Sequence, residues 1–116
     1  MKIYLATPYT HDDIDVMQKR FEDVSRKAGE LMLKGHVVFS PISHSHPIAV
    51  ELLQMDKDVV CDLAFWQVQD MPFVEWCDEL YIMDVDGWAK SVGVDAEIKE
   101  ARRLGKPITF VRGYDT

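Results

Sequence analysis

The sequence predicts a single-domain, three-layer α/β sandwich of Rossmann-like type, with a parallel sheet of about four to five strands covered by helices on both faces. Three observations lead there. Short apolar runs alternate with amphipathic stretches from one end of the chain to the other. No internal repeat, linker or low-complexity segment interrupts that alternation. At 116 residues the chain is long enough for one hydrophobic core and too short for two.

Lys2 to Ala6 reads as a buried first strand, stopped by Thr7-Pro8-Tyr9-Thr10, with Asp12 or Asp13 available to cap the next element. Ile14, Met17, Phe21, Val24, Ala28 and Leu31 repeat at spacings of three and four, so a long amphipathic helix runs to Lys34-Gly35. His36 to Ser40 is a short second strand, and Pro41 to Pro47 is expected to be the irregular loop leaving its carboxyl end. Loops at that end of a parallel sheet are where α/β proteins bind ligands. Ile48 to Cys77 is helical, and Pro72 is expected to break it, because proline disfavours the helical conformation at Met71 and has no N–H to donate. Glu79 to Asp84 is the third strand, Val92 to Leu104 the next helix, and Pro107 to Val111 the last strand.

Thirteen Lys and Arg against twenty Asp and Glu give a net charge of −7, and no basic run is present that could track a polynucleotide. Polymeric nucleic acid is therefore excluded as the expected partner. A mononucleotide is not, since backbone N–H groups and a helix dipole can hold one phosphate. Met1 to Ala6 is too short for a signal peptide and no apolar run reaches membrane-spanning length, so a cytoplasmic protein with no membrane partner is expected. Cys61 and Cys77 lack metal-ligand spacing and read as reduced thiols.

The stretch Ser91 to Glu97 carries most of the chemistry. It runs from the third strand into a helix N-terminus through small residues, which is a natural anion cradle. With about 100° per residue from Val94, Ile98, Ala101, Leu104 and Gly105 all fall within roughly 80° of it, and Glu97 lands inside that apolar stripe. A carboxylate on the face meant for the core is costly unless it is partnered or lines a pocket, which makes Glu97 a candidate catalytic group. Tyr9, just past the first strand, is placed to orient that carboxylate or touch a substrate, or simply packs there. His44 and His46 alternate in their loop with no third ligand nearby, so no metal site is expected; contact with substrate or an exposed polar loop are the two readings.

These segments together resemble the nucleoside 2-deoxyribosyltransferase-like superfamily over nearly the whole domain. The matching pieces are Ile3-Tyr4-Leu5-Ala6-Thr7-Pro8-Tyr9, Gly35 to Pro41, Cys77-Asp78-Glu79-Leu80, and above all Ser91-x-Gly93-x-x-x-Glu97 followed by Gly105-Lys106-Pro107. The resemblance implies that Glu97 is the nucleophile attacking the sugar C1′. It also implies a site role for Asp70, eight residues before Asp78, although Asp70 equally suits the cap of a helix restarted at Pro72. Ala6, Pro8, Ser40, Gly93, His44 and His46 are the further candidate substrate-binding residues, although the loop holding the two histidines matches neither of the branches described next closely. Transferases acting on free nucleosides carry an aspartate where this chain has Ser91. Serine there resembles the 2′-deoxynucleoside 5′-monophosphate N-hydrolase branch, in which it contacts the phosphate, and a hydroxyl welcomes a phosphate that a carboxylate would repel. The His44-Ser45-His46 segment is more similar to a further bacterial and phage branch.

The expected activity is hydrolysis of the N-glycosidic bond of a (deoxy)nucleoside 5′-monophosphate through a covalent glycosyl-glutamate, without cofactor or metal. The alternatives are a base-exchanging nucleoside 2-deoxyribosyltransferase and a non-catalytic nucleotide-binding or sensing module. A flavodoxin-like or receiver domain fits the fold alone, but the acidic cluster a receiver carries after its first strand is missing. The resemblance also implies a homodimer or higher homo-oligomer in which a neighbour completes the pocket. The short tail Arg112 to Thr116 is compatible with that, and Trp66, Phe73 and Trp76 are the expected interface aromatics.

Overall fold

The computed structural model describes residues 1–114, so Asp115 and Thr116 of the tail lie outside the described residues. The elements are β1 (Lys2–Ala6), α1 (Ile14–Leu33), β2 (Val37–Phe39), α2 (Pro41–Met55), α3 (Leu63–Trp76), β3 (Glu79–Asp84), α4 (Val92–Arg103) and β4 (Ile108–Arg112), with a 3-10 turn at Trp88–Lys90 before α4. They build one four-stranded sheet in the order β2-β1-β3-β4, and every pair in it is parallel.

Central β1 sets both faces of the sheet. Tyr4 lies opposite Phe39 on one side and Leu80 on the other, and Ala6 opposite Ile82. Alternation along the strand sends Ile3 and Leu5 toward α1, where Val24, Ala28 and Leu31 cover them together with Met83. It sends Tyr4 and Ala6 the other way, onto Val74 of α3 and Val94 and Ala101 of α4. Both faces are thus buried, which is why β1 reads as an unbroken apolar run rather than an alternating one. Burying a side chain such as Leu5 or Val24 contributes roughly 1.5–3 kcal/mol. Gly35, at φ +95°, ends the α1 region in the left-handed conformation that only glycine adopts without strain.

Two expectations are corrected. Residues 41–47 are not an irregular loop but the first two turns of α2. Pro41 occupies the first turn, where a missing N–H costs nothing, and Pro47 is carried inside the helix. Pro72 likewise lies inside α3 without breaking it. The carbonyl it frees belongs to Val68, an exposed residue, where water can take up the lost bond, while burial of Val74 holds the following turn. The break between the two helices falls instead at residues 56–62. Asp62 caps the second helix there, its carboxylate accepting from Phe65 N at 2.9 Å. Asp70 therefore stands mid-helix and caps nothing.

The chain winds from β1 to one side of the sheet and later returns to β3 on the other. A crevice is left where the carboxyl ends of β1 and β3 meet, the position at which open α/β sheets take their ligands. Among the described residues no helix is long and apolar enough to cross a membrane.

Candidate active site

A cavity of about 1120 Å³ occupies that crevice. The residues after β1 form its base, α2 and α3 are its walls, and the turn into α4 closes it. Pro8, Tyr9, His46, Asp70, Ser91, Gly93 and Glu97 all line it, so the structure gathers seven of the ten site residues expected from the sequence.

Glu97 is buried on the apolar stripe of α4, as its position predicts. Its partner is Tyr4, whose hydroxyl donates to Glu97 Oε2. Removal from water pushes the Glu97 carboxyl up to about 8; the Tyr4 bond opposes that shift and the nearby charge of Asp70 adds to it. Tyr4 is itself fully buried, and burial together with the two carboxylates holds its phenol well above the ordinary range, so it remains a proton donor. The tyrosine that grips Glu97 is thus Tyr4, on the strand, and not Tyr9.

Asp70 faces the same cavity from α3. Its Oδ1 is buried without a hydrogen-bond partner among the described residues, and desolvation pushes the carboxyl up to about 6. An acid of that strength beside a second raised carboxyl is an arrangement suited to proton transfer near neutral pH.

The α4 end of the cavity is formed by the turn into that helix. Ser91 Oγ accepts from Val94 N at 3.2 Å and caps the helix. A methyl group added at Gly93 would meet only Ser91 Oγ, at 3.9 Å, so the fold itself leaves room for a larger residue there. Lys90 and Arg20 stand at the same rim. Arg20 was not singled out by the sequence, where it reads as one more charge on an amphipathic helix. From α1 it donates to the carbonyls of Tyr9 and Thr10, each at 3.3 Å, and of Asp86 at 3.2 Å, joining the loops that leave β1 and β3. Gly87, at φ +91°, makes space for it: a Cβ there would lie 2.8 Å from Arg20 Nη2.

Three expected contacts do not reach the cavity. Ala6 points into the core beneath α3 and α4. Ser40 is buried in a hydroxyl chain, with Ser43 at 2.8 Å and Ser43 to Ser25 at 2.6 Å. His44 is exposed and lies against Phe39, its ring centroid 5.7 Å away. Helical geometry separates the two histidines by about 200° around α2, turning His46 inward and His44 outward. His46 Nδ1 is hydrogen bonded to Tyr9 Oη at 2.6 Å, and the Phe21 ring lies against its ring, tilted by 36° with centroids 4.1 Å apart. The expected interface aromatics divide too: Trp66 lines the cavity, Phe73 stacks on Phe39 at 3.9 Å, and Trp76 sits beneath Lys2.

The remaining motif residues fasten the sheet. Asp78 Oδ2 accepts from Lys2 N at 2.8 Å, which holds its carboxyl below the usual range. Lys106 Nζ donates to the carbonyls of Glu75 and Cys77, tying the end of α3 to the start of β4.

The fold is shared with a solved structure belonging to the characterisation of 2-deoxyribosyltransferase from the psychrotolerant bacterium Bacillus psychrosaccharolyticus. The two match with a TM-score of 0.66 and 24% identity, over 97% of this chain and 72% of that one. No curated protein matches the chain. The family model described as "Domain of unknown function (DUF1937)" matches residues 1–112, and the chain belongs to that family.

Proposed function

We propose that this chain is an enzyme that hydrolyses the N-glycosidic bond of a (deoxy)nucleoside 5′-monophosphate through a covalent glycosyl–Glu97 intermediate. The observation that carries the reading is the Glu97 carboxyl, buried at the cavity wall on an otherwise apolar helix face and gripped by the Tyr4 hydroxyl. The shared fold with a protein named a 2-deoxyribosyltransferase supports the same class of chemistry.

In the first step an ionised Glu97 oxygen attacks C1′. The C1′–N bond breaks, its electron pair leaves with the base, and Asp70 supplies the proton the base needs. Water then attacks C1′, returns a proton to Asp70 and frees Glu97. This is the division of labour of retaining glycoside hydrolysis. Tyr9 and Pro8 border the sugar. Ser91, the bare backbone at Gly93 and the N-terminus of α4 receive the phosphate, with Lys90 and Arg20 as the nearby cations. If a second base resolves the intermediate faster than water, the same residues perform base exchange.

The reading extends to a homo-oligomer. Leu53 is apolar, 53% exposed and at the cavity's edge, where a neighbouring subunit would cover it. Sedimentation at micromolar concentration tests that part.

The chemistry is tested by incubating the protein with nucleosides and nucleoside monophosphates, ribo and deoxy, and measuring released base by chromatography. Release from monophosphates that disappears in Glu97→Gln supports the reading. Near wild-type release by that variant removes Glu97 as nucleophile, and tight binding without release by the wild type points to a sensing module.

A further inference from the structure

The wall contributed by α2 is apolar apart from Ser45 and one ring. Ile42, Ala49, Val50 and Leu53 share with His46 the helix face turned to the cavity, a surface suited to a flat base rather than to a phosphate. The ring is held from two sides: Phe21 covers one face at 4.1 Å, and Tyr9 Oη meets Nδ1 at 2.6 Å with the rings edge to face. Among the described residues nothing bonds Nε2. Phenol is the better donor of the pair and an imidazole nitrogen the better acceptor, so Tyr9 donates to Nδ1. The neutral ring must then carry its proton on Nε2.

We infer that His46 presents a fixed Nε2–H donor to the bound base and selects bases with an exocyclic carbonyl over those with an amino group at the same position. This rests on the glycosidic reading of the cavity. A carbonyl accepts the proton, whereas an amino group sets donor against donor and leaves both unpaired, the kind of mismatch that binding sites discriminate strongly. Tyr9 acts through His46 as a positioning residue, since it determines which ring nitrogen faces the base.

The test compares kcat/KM for matched deoxynucleoside monophosphates, hypoxanthine against adenine and uracil against cytosine, in the wild type, His46→Leu and Tyr9→Phe. Nitrogen-detected NMR of the ligand-free protein reports the tautomer independently of turnover. The wild type is expected to prefer the oxo member of at least one pair by about tenfold. That ratio should fall toward one in His46→Leu and shrink in Tyr9→Phe, and the ring proton should sit on Nε2 in the wild type and spread over both nitrogens in Tyr9→Phe. An unchanged ratio in His46→Leu, or a ligand-free ring protonated at Nδ1, overturns the inference and leaves the hydrolytic reading in place. If the wild type releases no base at all, it is the hydrolytic reading that falls. Titration with free hypoxanthine and adenine then decides: a His46 shift with hypoxanthine alone upholds the donor, and an equal shift or none with both overturns it.

Discussion

Tyr4 and Glu97 lie ninety-three positions apart in the chain and are joined by a buried hydrogen bond at the cavity wall. A central strand and a covering helix are thereby coupled through the group proposed to attack the sugar. Tyr4→Phe keeps the ring that packs between Phe39 and the helices and removes only that bond. A hydrogen bond to a charged group contributes about 1.5–3 kcal/mol, so kcat/KM is expected to fall about 10- to 100-fold, and the melting temperature should drop by several degrees because the buried carboxyl loses its partner. The Glu97 carboxyl should rise further above 8, since the bond that lowers it is gone, and the alkaline limb of the pH–rate profile should move up with it.

That profile is expected to be bell-shaped, with limbs near 6 and 8, because the two carboxyls titrate about there. Below the lower limb both are protonated and Glu97 cannot attack. Above the upper limb both are ionised and no proton reaches the base. Between them the pair holds one proton, which resides mostly on Glu97, and the productive form is its minor tautomer with the proton on Asp70. Asp70→Asn should abolish the alkaline limb and lower turnover most for bases that leave poorly. Steady-state rates between pH 5 and 9 measure both effects.

Stability should depend on pH in the opposite sense to that of a salt-bridged acid. Folded Glu97 keeps its proton up to about 8, whereas the unfolded group loses it near 4.5, so the folded state binds the extra proton across that window. The contribution is fully present below 4.5 and is lost as pH rises toward 8, with a slope of up to about 1.4 kcal/mol per pH unit. Asp70 adds a smaller loss of the same sign between 3.8 and about 6. Urea midpoints should therefore fall as pH rises from 5 to 8, and Glu97→Gln should flatten the curve and exceed the wild type at pH 9.

Gly93 and Ser91 separate folding from binding. Alanine at Gly93 meets no obstacle in the free protein and removes a helix-weakening glycine, so stability should rise by about 0.5–1 kcal/mol while affinity for a monophosphate drops. Ser91→Ala loses the cap, costing about 1 kcal/mol, and should weaken use of monophosphates more than of nucleosides. Calorimetric titration with both ligand types tests the pair, and equal losses for both types would remove Ser91 from the phosphate site.

Glu97 was legible because a carboxylate inside an apolar helical stripe contradicts its surroundings. Tyr4 was not: within a strand buried on both faces a tyrosine looks like any other large apolar residue, and period two gives no sign of which helix its hydroxyl will meet. The signal that existed was joint, a phenol on the strand face destined for the helix bearing Glu97. The opposed directions of His44 and His46 were hidden for another reason. Two prolines around them suggested a loop, whereas a proline in a first helical turn is favourable and a second one is tolerated inside α2. Pro72 misled in the same way, and with it the idea that Asp70 caps a helix. Arg20 gave no local sign, since its partners are carbonyls from distant loops.

The three carbonyls held by Arg20 bear on how a ligand is received. Loops left to themselves would have to be ordered by the incoming molecule, and part of the interaction energy would be consumed in doing so. Here a helix side chain belonging to neither loop has already set the spacing of the rim. The entrance is thus a preassembled frame, its two loops held at a fixed spacing before any molecule arrives.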